Sequence, residues 1–323
     1  MGSEFWKGKR VLVTGADGFI GSHLTEKLIQ LGASVSVLVR GTSVIGTGRH
    51  NFARIPERVT SRLKQIVCCD IASADTVNLV VETDPQIIFH LAAVAYVPFS
   101  FNHPLEVMAV NVIGTLHVLE AAKRIDGLKR MVCTSSSEVY GTALTKQIDE
   151  THPLNPTSPY AASKVAADRY CYSYHMTYGL PVSIVRPFNT YGPRHTYDVI
   201  PKFIRLALRD NPITIYGAGG QTRDFMYVED TVEAFLVMGS HADAIGRTIN
   251  FGTGREISVL DVAHLIRDIS GSQSEIVHID SRVAEVDRLC CQPTLASNLF
   301  GWDTKVDINQ GLARNISWAR DNS

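Results

Sequence analysis

An excess of charge of either sign is missing from this sequence: 31 Lys and Arg stand against 32 Asp and Glu, a formal net charge of −1 over 323 residues. No general field exists to hold a polyanion, so nucleic-acid binding is not expected. Cysteine is scarce, and Cys68, Cys69, Cys133, Cys171, Cys290 and Cys291 show no C-x-x-C spacing. They therefore read as reduced core residues, with no zinc site and no disulfide scaffold. No apolar run approaches the roughly 18 residues of a membrane span, and the N-terminus lacks the basic, apolar, small-residue order of a secretion signal. These absences point to the cytoplasm and to no membrane partner. The opening Met1–Phe5 reads as a cloning remnant, with Phe5 or Trp6 at its margin and ordered structure expected from near Lys7.

What is present is the composition of an ordinary globular chain, 45% hydrophobic with 24 Gly and 13 Pro. A chain of this length buries about 75% of its unfolded surface. The order of patterns sets the class. Lys9 to Thr14 is a short β-branched run ending at Gly15, as in a strand covered on both faces. Phe19 to Leu31 follows with Ile20, Leu24, Leu28 and Leu31 on one stripe and Gly32 as the stop. Strands are then expected at Ser34 to Val39, Gln65 to Cys69, Gln86 to Leu91, Lys129 to Ser135 and Val182 to Arg186. Helices alternate with them at Ala74 to Glu82, Leu105 to Ile125 and Pro159 to Tyr178, the last capped by Ser158. Such alternation predicts an α/β fold, a Rossmann-type doubly wound parallel sheet. Beyond Pro187 the pattern loosens into Gly- and Pro-rich stretches, the expected site of a smaller C-terminal lobe. Helices are expected there at Val199 to Arg209, Val259 to Ile269 and Ile308 to Arg320, and a strand at Thr248 to Phe251. The expected division is a dinucleotide-binding domain over 7–188, with 224–252 returning to it, and a substrate-binding lobe over 189–223 and 253–323.

Thr14-Gly15-Ala16-Asp17-Gly18-Phe19-Ile20-Gly21 is a G-x-x-G-x-x-G turn at the first strand-to-helix junction. Glycines there permit a tight turn and close approach to a pyrophosphate at the helix N-terminus. About 20 residues on, where an acid usually holds the ribose of NAD, stands Arg40. Two readings follow: a guanidinium for the extra phosphate of NADP, assisted by Thr42, Ser43 and Arg49, or a solvent-facing Arg beside NAD. The cofactor expected is thus NAD(P), with NADP slightly favoured. Asp70 is either an acceptor for the adenine amino group or a helix cap near Ser73.

Tyr160 and Lys164 lie four residues apart on one helix face, where the ammonium can lower the phenol pKa and make Tyr160 a general base. A Y-x-x-x-K pair by itself also describes an ordinary surface pair. The serine-rich Thr134-Ser135-Ser136-Ser137-Glu138 ends the preceding strand, so both would stand above the carboxyl ends of the sheet.

With these residues in place, the chain resembles the extended short-chain dehydrogenase/reductases, in their nucleotide-sugar epimerase and dehydratase branch. The matching segments are T-G-A-D-G-F-I-G-S-H-L from Thr14, H-L-A-A from His90, N-V-I-G-T from Asn111, S-S-S-E-V-Y-G from Ser135, S-P-Y-A-A-S-K from Ser158, R-P-F-N-T-Y-G-P-R from Arg186 and R-D-F-M-Y-V-E-D from Arg223. The resemblance implies that Tyr160 takes the proton of the sugar 4-hydroxyl while hydride leaves C4. Lys164 would hold the ribose, and Ser136 would hydrogen-bond the 4-oxygen. It places the dinucleotide against Gly15, Asp17, Gly18, Phe19, Ile20, Gly21, Arg40, Asp70, Ile71, Leu91, Ala92, Ala93, Asn111, Thr134, Tyr160, Lys164 and Pro187. Tyr96, Asn189, Arg194 and Arg288 would take the substrate. Arg223 is a further candidate, with an Arg223–Asp224 ion pair as its structural alternative.

The reaction turns on Ser137-Glu138. Once C4 is a ketone, a carboxylate over C5 can remove the acidified proton, and Glu138 is placed for that task. The resemblance is to nucleotide-sugar 4,6-dehydratases of the aminosugar and GDP-mannose type. Many glucose-type dehydratases have Asp-Glu here, so with Ser137 in place of Asp, Glu138 would serve as base and acid in turn. A 4-epimerase and a UDP-glucuronate decarboxylase remain as alternatives, and a non-catalytic dinucleotide-binding regulator as a remote one. Helices 105–125 and 159–178 resemble the pair through which relatives form homodimers.

Overall fold

The computed structural model describes residues 3–40, 57–281 and 285–322. They form two compact units, the first within Met1–Ser136, Ser158–Arg186 and Val232–Ile249, the second within Ser137–Thr157, Pro187–Thr231 and Asn250–Ser323.

The large sheet uses β1 (Arg10–Thr14), β2 (Ser34–Val39), β3 (Gln65–Cys68), β4 (Ile87–His90), β5 (Arg130–Thr134), β6 (Val182–Pro187) and β7 (Thr248–Phe251). Their order is β7-β6-β5-β4-β1-β2-β3, with parallel pairing from β6 through β3. This is the doubly wound arrangement expected from the alternation. The strand order reverses between β1 and β4, and in such sheets the crevice at the carboxyl ends of the two strands beside that reversal receives ligands.

Helices α1 (Phe19–Gln30), α2 (Thr76–Glu82), α3 (Pro104–Ala122) and α4 (Pro159–Tyr178) follow strands of the sheet. One continuous core joins sheet residues Leu12, Ile88, Met131 and Ile184 to Val80, Val118, Leu119 and Cys171 of these helices. The middle of α3, Ala109–Ile113, is wound as a π-helix, a local widening that often marks a functional site. Averaged over 18 residues α3 has mean hydropathy 1.4, which makes it long and apolar enough to cross a membrane, although 56% of that window is buried inside the protein. That corrects the expectation of no such run: Asn111, Thr115 and His117 break its continuity but do not lower its average enough to disqualify it.

Two further expectations are corrected. Trp6 is buried, its ring 5.9 Å from Phe89, so ordered structure starts before Lys7. Cys68 is exposed and Cys69 half-buried, because β3 is an edge strand; the other four thiols are buried and all six are free.

The second unit is stitched from short pieces. Asn189–Tyr191 pairs with Phe225–Tyr227, Ile213–Tyr216 with Ile276–Ile279, and Thr222–Arg223 lies between Ile257–Ser258 and Arg288–Leu289. Helices Val199–Ala207, Val259–Ser270 and Ile308–Asp321 pack with them, Thr294–Phe300 follows the last of the strands, and Ser258 caps the second helix through a hydrogen bond from the Asp261 amide.

Candidate active site

In the first unit, β1 delivers the chain into the glycine turn. Gly15 has φ +68°, and a Cβ there would lie 2.7 Å from the Ala92 nitrogen; one on Gly21 would lie 2.2 Å from the Gly15 carbonyl oxygen. Only hydrogen fits at these two places, so the backbone packs tightly and leaves its surface open to a ligand. Helix α1 begins at Gly18 with no side-chain cap, so its first amides keep their capacity for an anion. Asp17 is buried and its Oδ2 has no hydrogen-bond partner among the described residues. A buried acceptor left open beside an uncapped helix start fits a dinucleotide whose hydroxyls could donate to it.

The other expected cofactor residues line the same strand ends. Phe19 and Ile20 open α1, and Leu91, Ala92 and Ala93 continue from β4, where the Ala92 amide donates to Thr14 Oγ1 at 3.2 Å. Ile71 is buried and Pro187 ends β6, while Tyr96, expected toward the substrate, precedes the short helix Val97–Asn102. Asp70 Oδ1 accepts from the Ala72 amide at 2.9 Å, a local turn, and α2 starts only at Thr76; the helix-cap alternative for Asp70 is therefore not realised. Arg40 stands exposed at the end of β2, 3.9 Å from Glu106. Thr42, Ser43 and Arg49 lie outside the described residues.

Helix α4 carries Tyr160 and Lys164, both buried. The Ser158 side chain accepts from the Ala161 amide and Pro159 takes the first helical position, which fixes the start of the helix and hence the place of Tyr160. Lys164 Nζ donates to the Thr134 carbonyl at 2.5 Å, tying the helix to the end of β5. Burial pulls the Lys164 ammonium down to about 8, against the opposing influence of Cys171, Cys133 and Asp168. Thr134 Oγ1 and Ser135 Oγ are buried with no partner among the described residues, two more open polar atoms at that strand end. Asn111, in the π-turn of α3, donates to Ser163 Oγ at 2.9 Å and bonds both backbone groups of Val94. Ser136 is buried and is the last residue of this segment of the first unit.

The chain passes directly from Ser136 into the second unit at Ser137, where Ser137–Tyr140 form a 3-10 turn carrying Glu138. Tyr140 anchors that turn, its hydroxyl donating to Asn250 Oδ1 at 2.7 Å. Asn189 is half-buried with Oδ1 unpartnered among the described residues. Arg194 holds a left-handed backbone, φ +71°, which costs a non-glycine residue of order 1 kcal/mol. Arg223 does not pair with Asp224: it reaches Glu285 at 3.4 Å, while the Asp224 carboxylate accepts from the Thr253, Gly254 and Cys291 amides. Arg288 is engaged too, its guanidinium forked on Glu256 at 2.6 and 3.1 Å. Glu256 went unnoticed in the sequence because a single Glu in a loop carries no local signal. His90, Thr115 and Ser163 belong to the motifs H-L-A-A, N-V-I-G-T and S-P-Y-A-A-S-K, and that membership is the signal by which the sequence could point to them.

Known proteins resemble this chain over nearly its whole length. The family model described as GDP-mannose 4,6 dehydratase matches residues 12–315. A UDP-glucose 4-epimerase of Mycolicibacterium smegmatis is 36% identical over 319 residues, covering 97% of this chain and 99% of its own. A dTDP-D-glucose 4,6-dehydratase of Bos taurus is 37% identical over 324 residues, covering 97% and 89%. Among solved structures, dTDP-glucose 4,6-dehydratase of Streptomyces venezuelae with NAD bound superposes with TM-score 0.88 at 31% identity, over 97% of each chain. A dinucleotide turn on a parallel sheet, a buried Tyr-Lys pair and these matches along the whole length place the chain in the extended short-chain dehydrogenase/reductase family of nucleotide-sugar dehydratases and epimerases.

Proposed function

We propose that this chain is an NAD(P)-dependent nucleotide-sugar 4,6-dehydratase, converting its substrate to a 4-keto-6-deoxy sugar nucleotide. The observation that carries the reading is Glu138, a carboxylate two residues beyond Ser136 on the turn that continues from β5. When bound, the dinucleotide supplies a reversible hydride acceptor. Gly15, Asp17 and the uncapped start of α1 hold it, together with Lys164. Tyr160 removes the proton of the 4-hydroxyl as C4 becomes a ketone, and Ser136 hydrogen-bonds the 4-oxygen. Glu138 then takes the C5 proton and, as an acid, delivers it to the departing 6-hydroxyl, since Ser137 has no carboxyl to do so. Hydride returns to C6, and one proton, equivalent to that taken from the 4-hydroxyl by Tyr160, is returned at C5, so that the sum is loss of one water with no net oxidation. Asn189, Arg194, Arg223 and Arg288 are the candidate grips on the nucleotide diphosphate, with Tyr96 toward the sugar.

Dehydration shows as loss of one water in the product mass when the protein is incubated with UDP-, GDP-, CDP- and dTDP-sugars. Glu138→Gln is expected to reduce the bound cofactor yet release no water; normal product from that variant sinks the assigned role. The second reading is a 4-epimerase, favoured by the Mycolicibacterium smegmatis relative, which is as similar as the dehydratases. Unchanged mass with an altered sugar would establish it, and loss of carbon dioxide from UDP-glucuronate would establish a decarboxylase. Arg40 favours NADP, and identification of the dinucleotide released on denaturation decides that. A homodimer is part of the proposal: α3 and α4 leave Leu105, Met108, Tyr170 and Met176 exposed, an apolar face suited to a second copy.

A further inference from the structure

A chain of buried hydrogen bonds runs through the first unit between the glycine turn and the catalytic helix. Thr14 Oγ1 lies 2.8 Å from His90 Nδ1, and His90 Nε2 lies 3.0 Å from Thr115 Oγ1. The Thr115 hydroxyl donates to the Asn111 carbonyl at 2.6 Å, within the π-wound stretch of α3. Asn111 Nδ2 donates to Ser163 Oγ at 2.9 Å, and the Ser163 hydroxyl donates to the Tyr160 carbonyl at 2.6 Å. Thr14, His90, Thr115, Asn111, Ser163 and Tyr160 are all buried, so water does not compete for these bonds.

Donor arithmetic leaves one arrangement. Thr115 spends its only hydrogen on the Asn111 carbonyl, so its oxygen must accept from His90 Nε2–H. Thr14 Oγ1 already accepts from the Ala92 amide, and its hydrogen is then available to His90 Nδ1. The imidazole is thereby neutral, with its proton on Nε2. Burial, aided by the nearby Lys164 charge, lowers its pKa to about 3, which agrees with that state.

We infer that His90 is a positioning residue for the proposed reaction. Held in a single tautomer between Thr14 and Thr115, it locks the turn that receives the dinucleotide to the helical turn that carries Tyr160. Both of its ring nitrogens are spent on Thr14 and Thr115, so it acts through them. Every donor along the path points the same way, so loss of one link loosens the links beyond it, and effects should appear at α4 after substitution at β1.

The test is amide hydrogen exchange of the whole chain, which needs no sugar substrate and so fails separately from the dehydratase assignment. Thr14→Val and Thr115→Val should each speed exchange across 160–164 about five- to tenfold, the loss of one net hydrogen bond. Thr14→Ser and Thr115→Ser, which keep the hydroxyl, should restore it. The double variant should exchange no faster there than either single variant, because both break one path. With turnover established, the Val variants should lose kcat by a similar factor while the KM for dinucleotide stays within about twofold. Exchange that rises only beside each substituted residue, or effects that add, would overturn the inference.

Discussion

Each unit buries a carboxylate, and the two are held in opposite ways. Asp168, on α4 of the first unit, accepts from Arg186 Nε at 2.9 Å and Nη2 at 3.0 Å and from Arg169. Asp224, in the second unit, accepts from the Thr253 amide and hydroxyl and from the Gly254 and Cys291 amides, at 2.6–3.1 Å. One anion is balanced by charge and the other only by dipoles. Regular secondary structure explains the difference. In α4 and β6 the backbone amides are consumed by helix and sheet, so a buried anion there needs a side-chain cation. In the short-stranded second unit the turns at 253–254 leave amides unspent, and Asp224 gathers them and acts as a staple.

The largest expected effect comes from breaking the charged arrangement. Asp168→Ala leaves the Arg186 guanidinium, whose side chain is 3% exposed, buried without the Asp168 carboxylate. Stranding a buried charge typically costs about 3–5 kcal/mol, and urea unfolding of the variant should show a loss of that size. The loss should extend to function, since Asp168 lies one helical turn beyond Lys164 on α4. A cost below about 1 kcal/mol would mean that Arg186 finds another partner.

Asp224→Asn is the matching experiment and should cost less. The amide keeps one carbonyl oxygen for the backbone donors but presents an NH₂ group where the other oxygen accepted from Gly254 and Cys291. Unsatisfied buried donors cost about 1–3 kcal/mol, with no stranded ion. Its effect should centre on the Thr253–Gly254 turn and Cys291 in hydrogen exchange. If Asp224→Asn proves as damaging as Asp168→Ala, dipoles hold an anion as firmly as arginines, and the contrast between the units fails.

The same contrast governs what could be read in the sequence. β1, the glycine turn and α1 were visible because periodicity and turn chemistry act within about 20 residues. Tyr160 and Lys164 were visible because a helix places residues four apart on one face. Strands such as Thr222–Arg223, Ile257–Ser258 and Arg288–Leu289 are two residues long and have no period to detect. They exist through partners 34–66 residues away, as Thr222 with Ser258 and with Arg288 shows. Ion pairs meet the same limit: for Arg223 the sequence offers a grip on the diphosphate or, as the structural alternative, a pair with its neighbour Asp224, whereas its partner is Glu285, 62 residues on. The π-turn of α3 is a further case, since nothing in A-V-N-V-I distinguishes it from ordinary helix.

The smallest predicted effect, and the one most specific to the contrast, is in pH. Burial raises the pKa of Asp168, but the hydrogen bonds and charges of Arg186 and Arg169 outweigh it and leave the group below its ordinary value. Burial also raises Asp224, and there the bonds from Thr253, Cys291 and Gly254 only partly offset it, so the group stays above its ordinary value. The signs then differ. A depressed carboxyl contributes stability that is full above its unfolded pKa, about 3.9, and is lost as pH falls through the folded value. A raised carboxyl favours folding below about 3.9 and loses that contribution as pH rises toward the folded value. Stability measured against pH should therefore show the deficit of Asp168→Asn shrinking as the solution is acidified below about 4, because acid protonates the wild-type carboxylate as well. The deficit of Asp224→Asn should shrink in the opposite direction, as pH rises above about 4 and the wild-type chain must bury an anion with no cation beside it. Two deficits that change in the same direction would show that both carboxylates are held alike, whatever the hydrogen bonds around them.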